Sequence, residues 1–154
     1  MYVTFLVLHS LLRWLVLLFG LMAMIRAFGG WSARRAWTRT DDRVGLLYTI
    51  SLDTQVLVGL ILYGLVSPIT QAAFSDFGAA MKDPLLRFYA VEHLALMLVG
   101  LAFVHIGRAR AKKARSDTAK HKTAAIFYTI GFVVILVGIP WPFRTLGRPL
   151  LPVF

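Results

Sequence analysis

The stretch Leu85 to Gly107, LLRFYAVEHLALMLVGLAFVHIG, constrains this chain more than any other. As a helix rising about 1.5 Å per residue it reaches roughly 34 Å, enough to cross a hydrocarbon core of about 30 Å. It also carries Glu92, His93 and His105. Ionisable side chains inside a membrane helix cost about 2.5–3.5 kcal/mol each on insertion scales, so the Glu92–His93 pair requires a partner, a ligand or a water-filled cavity.

Three further apolar runs, about 3–25, 44–66 and 123–139, have the same character. The chain is 58% hydrophobic with a mean hydropathy of +0.72. That composition points to an all-α integral membrane protein with four transmembrane helices, and to a single membrane domain over 1–154, with no soluble unit. The first run starts near the initiating Met without a basic leader or a small-residue cleavage site, so it is expected to stay attached as a helix. There is no cysteine, which excludes disulfides, thiolate metal sites, iron–sulfur clusters and covalently attached haem.

The net charge of +10 does not imply nucleic acid. Twelve of the seventeen basic residues fall in two short segments between apolar runs, Arg26 to Arg43 and Arg108 to Lys122. The positive-inside rule places both in the cytoplasm. The connection 67–84 is close to neutral and suits the opposite side. The expected architecture is an up-down-up-down bundle with both termini outside. Trp31 and Trp37 are expected at headgroup level, and Pro140-Trp141-Pro142-Phe143-Arg144 as the exit of the last span.

Polar residues within the spans give the candidate sites. His9 and Arg13 lie four apart, hence on one helix face. Helices one and three run in the same direction, and His9 and His93 lie six and eight residues from their outer ends, at matching depths of roughly 9–12 Å. In such a bundle these two helices are diagonal across the core, so a flat macrocycle can stand between the imidazoles as a bis-His b-type haem. Arg13 can pair with a haem propionate or with Glu92, and Glu92 can orient a ligand imidazole. Gly20, Gly59 and Gly100 leave room for a planar ligand or for close helix approach. The bland alternatives stand beside these: an intramembrane His that bonds a neighbouring helix, and a structural Glu92–Arg13 ion pair.

In the second span Gln55, Gly59 and Tyr63 follow at i, i+4 and i+8, and Asp53 is the only acid. Asp53 with Gln55 or Tyr63 is a candidate for proton transfer or for a quinone headgroup, or for a bond between helices. His105 is twelve positions after His93, roughly 120° round the helix. A lower haem between His105 and Met22 or Met24 is a weaker alternative to an interfacial His105. His121, between Lys120 and Lys122, is expected to face water.

The strings His9-Ser10-Leu11-Leu12-Arg13-Trp14, Asp53-Thr54-Gln55, Gly59 to Tyr63, Ala80-Met81-Lys82-Asp83 and Val91-Glu92-His93 occur in this order. They are followed by His105-Ile106-Gly107-Arg108, Ala119 to Thr123 and Ile139 to Arg144. In these strings the chain resembles a group of short bacterial membrane proteins known as cytochrome b. The resemblance implies a haem-associated electron carrier of the bacterial inner membrane, exchanging electrons with the quinone pool or a larger respiratory complex, rather than a stand-alone enzyme. Respiratory cytochromes b carry paired histidines thirteen or fourteen residues apart on two helices; this chain does not, which favours one haem over two. Beyond the lipid bilayer, the expected partners are a larger membrane complex or further copies of the chain. The rival expectation is a non-catalytic accessory transmembrane subunit without haem.

Overall fold

The computed structural model describes residues 1–150, and among these the structure is helical without strands. Four helical segments are long and apolar enough to cross a membrane: Tyr2–Ser32, Arg39–Val66, Pro84–Lys113 and Asp117–Gly138. This is the pattern of a multi-pass membrane protein. Exposed Leu11, Leu18, Leu57, Leu98 and Val133 are among the aliphatic side chains on its outer surface, consistent with contact with lipid.

The helices are longer than the apolar runs. Helix α1 (Tyr2–Ser32) has 31 residues, roughly 46 Å, and stops where Arg34 takes a positive φ of 47°, a conformation that costs energy for a residue with a side chain. Helix α2 (Arg39–Ile61) starts at a capping box: the Thr38 side chain accepts from the Asp41 amide while the Asp41 carboxylate accepts from the Thr38 amide. Arg26 and Arg35 both reach Asp41 at 2.9 Å, tying the end of α1 to the start of α2. The hydrogen bonds to Asp41 hold the Arg35 guanidinium above its ordinary pKa.

A π-helical turn, Leu62–Val66, continues α2. The connection 67–84, expected as a loop, folds into two short helices, α3 (Pro68–Ser75) and α4 (Phe77–Ala80). Ser67 and Asp76 accept from the amides of Thr70 and Ala79, and Pro68 occupies a first-turn position where its missing N–H does no harm. Helix α5 (Pro84–Arg87), a second π-helical turn (Phe88–Glu92) and helix α6 (His93–Lys113) form the third span. Helix α7 (Asp117–Gly138) is capped by the Ser116 side chain.

Helix α6 packs most extensively on α7, and α1 on α2 and α7, whereas contact between α2 and α6 is sparse. Glycines set the α6–α7 distance. A Cβ at Gly131 would sit 2.8 Å from Val104 Cγ2 and 3.0 Å from the Gly100 carbonyl, so only glycine permits this approach. Gly20 likewise leaves space for Phe132 and Tyr48. Of the three glycines expected to make room, Gly20 and Gly100 serve helix contacts and only Gly59 faces a candidate ligand residue, His9.

His121 corrects the sequence reading: it is fully buried, with the Trp37 ring 4.8 Å away. It belongs to the stripe of α7 that continues through Ala124, Ala125, Tyr128, Phe132 and Ile135, and a side chain at Gly30 would overlap its ring. The neighbouring lysines point elsewhere, since adjacent helical residues differ by about 100°.

Candidate functional site

A cavity of about 130 Å³ lies between α1, α2, α6 and α7, near the end where Tyr2 and Arg148 meet; His9, Arg13, Gln55, Tyr63, His93 and Arg148 are among its lining residues. Helix α1 contributes His9 and Arg13 one turn apart. The α2 face Gln55, Gly59 and Tyr63, set by the four-residue spacing, lines the same space.

The two imidazoles meet across this cavity, with ring centroids 6.3 Å apart and planes at 72°. His93 Nδ1 lies 2.8 Å from the carbonyl oxygen of Gly138. A carbonyl only accepts, so Nδ1 carries the proton and Nε2 keeps its lone pair. This contact also anchors His93 to the end of α7. Gly59 passes close to His9, where an added Cβ would lie 3.0 Å from His9 Cε1.

Three buried polar atoms of the lining residues have no hydrogen-bond partner among the described residues: His9 Nδ1, Arg13 Nε and Gln55 Oε1. Buried polar groups are satisfied in the great majority of cases; four further such atoms, Tyr48 Oη, both ring nitrogens of His121 and Thr129 Oγ1, lie away from the cavity. No cluster of three or more His, Cys, Asp or Glu side chains occurs among the described residues. Among the described residues of these four types, only His9 and His93 line the cavity.

The terminal end is closed by the segment after α7. Arg148 donates to the hydroxyls of Tyr89 (3.0 Å) and Tyr2 (3.1 Å). Burial lowers its pKa, but these tyrosines outweigh burial and hold it above the ordinary value, so the cavity faces a fixed positive charge. Arg13 donates to the Leu150 carbonyl. The sequence gives no signal for Arg148, because its contribution depends on the chain folding back over the bundle.

The two π-helical turns stand side by side here. Tyr63, in the first, donates to the Ala90 carbonyl in the second at 2.7 Å, and accepts at its own carbonyl from Thr70 Oγ1 at 2.8 Å. His93 follows directly on the second turn. Such turns are frequent at functional positions.

Other sequence candidates lie elsewhere. Glu92 is half-exposed and bound to Arg87 at 2.7 Å; it pairs with neither Arg13 nor His93. Asp53 is not with Gln55 and Tyr63 but on another face of α2, where its Oδ1 lies 2.7 Å from His105 Nε2. His105 is thus engaged with Asp53 rather than with Met22 or Met24. The structure brings His9, Arg13, Gln55, Tyr63 and His93 to one cavity and leaves Glu92 and Asp53 outside it. No protein-family model, curated protein or solved structure matches the chain.

Proposed function

We propose that the chain is a membrane electron carrier that holds one b-type haem between His9 and His93. The observation that carries this reading is the 6.3 Å separation of the two imidazoles across a cavity with unpartnered polar atoms. His9 and His93 would be the residues that hold the haem iron, and metal–nitrogen bonds of about 2 Å would be compatible with their separation. His93 already presents the required Nε2 lone pair, and the Gly138 carbonyl fixes its orientation as an outer partner does for a ligating imidazole.

A haem bound here supplies a one-electron couple. The chain ligates it, and Arg13 and Arg148 provide charge suited to propionate carboxylates. Two cations beside the group also favour the state with the additional electron. A cavity of about 130 Å³ holds a benzene-sized molecule, so a macrocycle must widen it. The sparse α2–α6 seam is where the bundle can give.

The chain is read as an up-down-up-down bundle in a bacterial cytoplasmic membrane, with the basic loops in the cytoplasm and both termini outside. The haem then lies toward the outer face, and electrons pass between the quinone pool and an outer partner or a larger complex. His9→Ala and His93→Ala variants, purified in detergent, test the ligand pair. Each is expected to lose the b-type absorption bands; full haem in both would refute the assignment.

A further inference from the structure

The haem cavity leaves out Glu92 and most of the exit segment Pro140 to Arg144, and a second groove brings them together. Phe88, Glu92 and Leu96 follow at four-residue intervals on the third span, a single stripe of helix. Val137, Pro140 and Arg144 join them in lining a groove of about 410 Å³, the size of a small-molecule site. Only Pro140 is shared with the cavity of His9 and His93.

The lining is graded with depth. Leu96 stands one turn nearer the middle of Pro84–Lys113 than Glu92, roughly 6 Å. Val137 lies just before the end of α7 at Gly138, and Arg144 beyond it. Leu96 and Val137 therefore occupy the deeper part and the two charges the part toward the terminal end. Val137 is 50% exposed, so the groove opens toward lipid, with buried Phe88 and Pro140 behind it.

Both charged groups keep hydrogen-bonding capacity in reserve. Arg144 donates through Nη1 to the carbonyls of Val137 (2.9 Å) and Ile139 (3.5 Å), which leaves Nε and Nη2 to donate elsewhere, and it pairs with no acid among the described residues. Glu92 accepts from Arg87 through Oε1 at 2.7 Å, which leaves Oε2 as an acceptor. A guanidinium suits a phosphate oxygen, and a carboxylate suits an ammonium. A polar rim of this kind over an apolar trough that faces the bilayer matches a molecule with all three parts. We propose that the groove binds one phosphatidylethanolamine, with its phosphate on Arg144, its ammonium on Glu92 and an acyl chain along Leu96 and Val137. An anionic headgroup fits less well, because it sets a negative charge beside Glu92 with no cation to offset it. A choline headgroup keeps the charge but has no N–H to donate to Oε2. The site requires no haem.

The test is native mass spectrometry of the delipidated full chain in detergent, titrated with phosphatidylethanolamine, phosphatidylcholine or phosphatidylglycerol of identical acyl chains. The wild type is expected to retain a single phosphatidylethanolamine about tenfold more tightly than either other lipid, the worth of one charge-assisted hydrogen bond. Arg144→Gln should weaken retention of all three lipids about tenfold, with an unchanged helical circular dichroism spectrum. Glu92→Gln should bring phosphatidylethanolamine down to the level of phosphatidylcholine and leave the other two lipids as they were. If Arg144→Gln does not fold, Glu92→Gln carries the test, since its side chain is exposed and the amide keeps its size. His9→Ala should bind the lipid like the wild type whether or not haem is present, which separates this site from the haem reading. Equal retention of the three lipids by the wild type, an unchanged preference in Glu92→Gln, or a dimer that forms in place of the lipid complex overturns the proposal.

Discussion

The two ends of the bundle solve opposite problems. At the loop end, where basic residues are in excess, each acid is paired: Asp41 with Arg26 and Arg35, Asp42 with Arg108 at 3.3 Å, and Asp117 with Lys120 at 3.1 Å. At the terminal end, His9, Arg13 and Gln55 keep unpartnered buried atoms around a cavity, and the helices pass through two π-helical turns. The loop end has its own orphans in the two ring nitrogens of buried His121, but they lie against the Trp37 ring and Gly30 rather than around a cavity. What sets the terminal end apart is that its orphaned atoms surround a cavity shared by two imidazoles.

Substitutions can break or sharpen this contrast, and the largest stability effect is expected where α6 and α7 touch. Gly131→Val would drive a side chain against Val104 and the Gly100 carbonyl, and overpacking of this kind costs about 1–3 kcal/mol or more. Thermal unfolding in detergent should show a marked loss. Asp41→Ala comes next: it removes the capping box and leaves two arginines unpaired, for a loss of about 1–2 kcal/mol. The same method should detect it, with haem binding unchanged.

At the terminal end, Tyr63→Phe removes the bond to the Ala90 carbonyl and should cost only about 1 kcal/mol. Its informative effect is on the haem bands, which should shift or weaken because the turn before His93 loses its tie. Glu92→Gln is expected to do least. Its partner Arg87 is exposed, and exposed pairs contribute about 0–1 kcal/mol. A strong loss of haem in Glu92→Gln would show that the carboxylate acts on His93 after all and would blur the distinction between the ends.

The spans and the facing of His9 and His93 were legible because helical rise converts residue offsets into depth, and matched depth on parallel helices brings side chains together. The same arithmetic failed for Glu92. Neighbours in a helix point about 100° apart, so once His93 faces the cavity Glu92 cannot. His121 misled through its flanking lysines, although its place in the Ala124–Tyr128–Ile135 stripe carried the correct signal. The Asp53–His105 pair was hidden because its members come from different helices whose mutual rotation no single-helix pattern contains. The helices α3 and α4 were missed in a segment read as loop, since short capped helices carry no long periodic signal. Arg148 reaches the cavity only through the folding back of the final segment.

The most direct measurement of the central claim is a dithionite-reduced minus oxidised absorption spectrum of the purified protein, with haem counted by pyridine extraction. The account predicts a single unsplit b-type α band at about one haem per chain, absent from His9→Ala and His93→Ala. A colourless wild-type protein, expressed with ample haem, would contradict it.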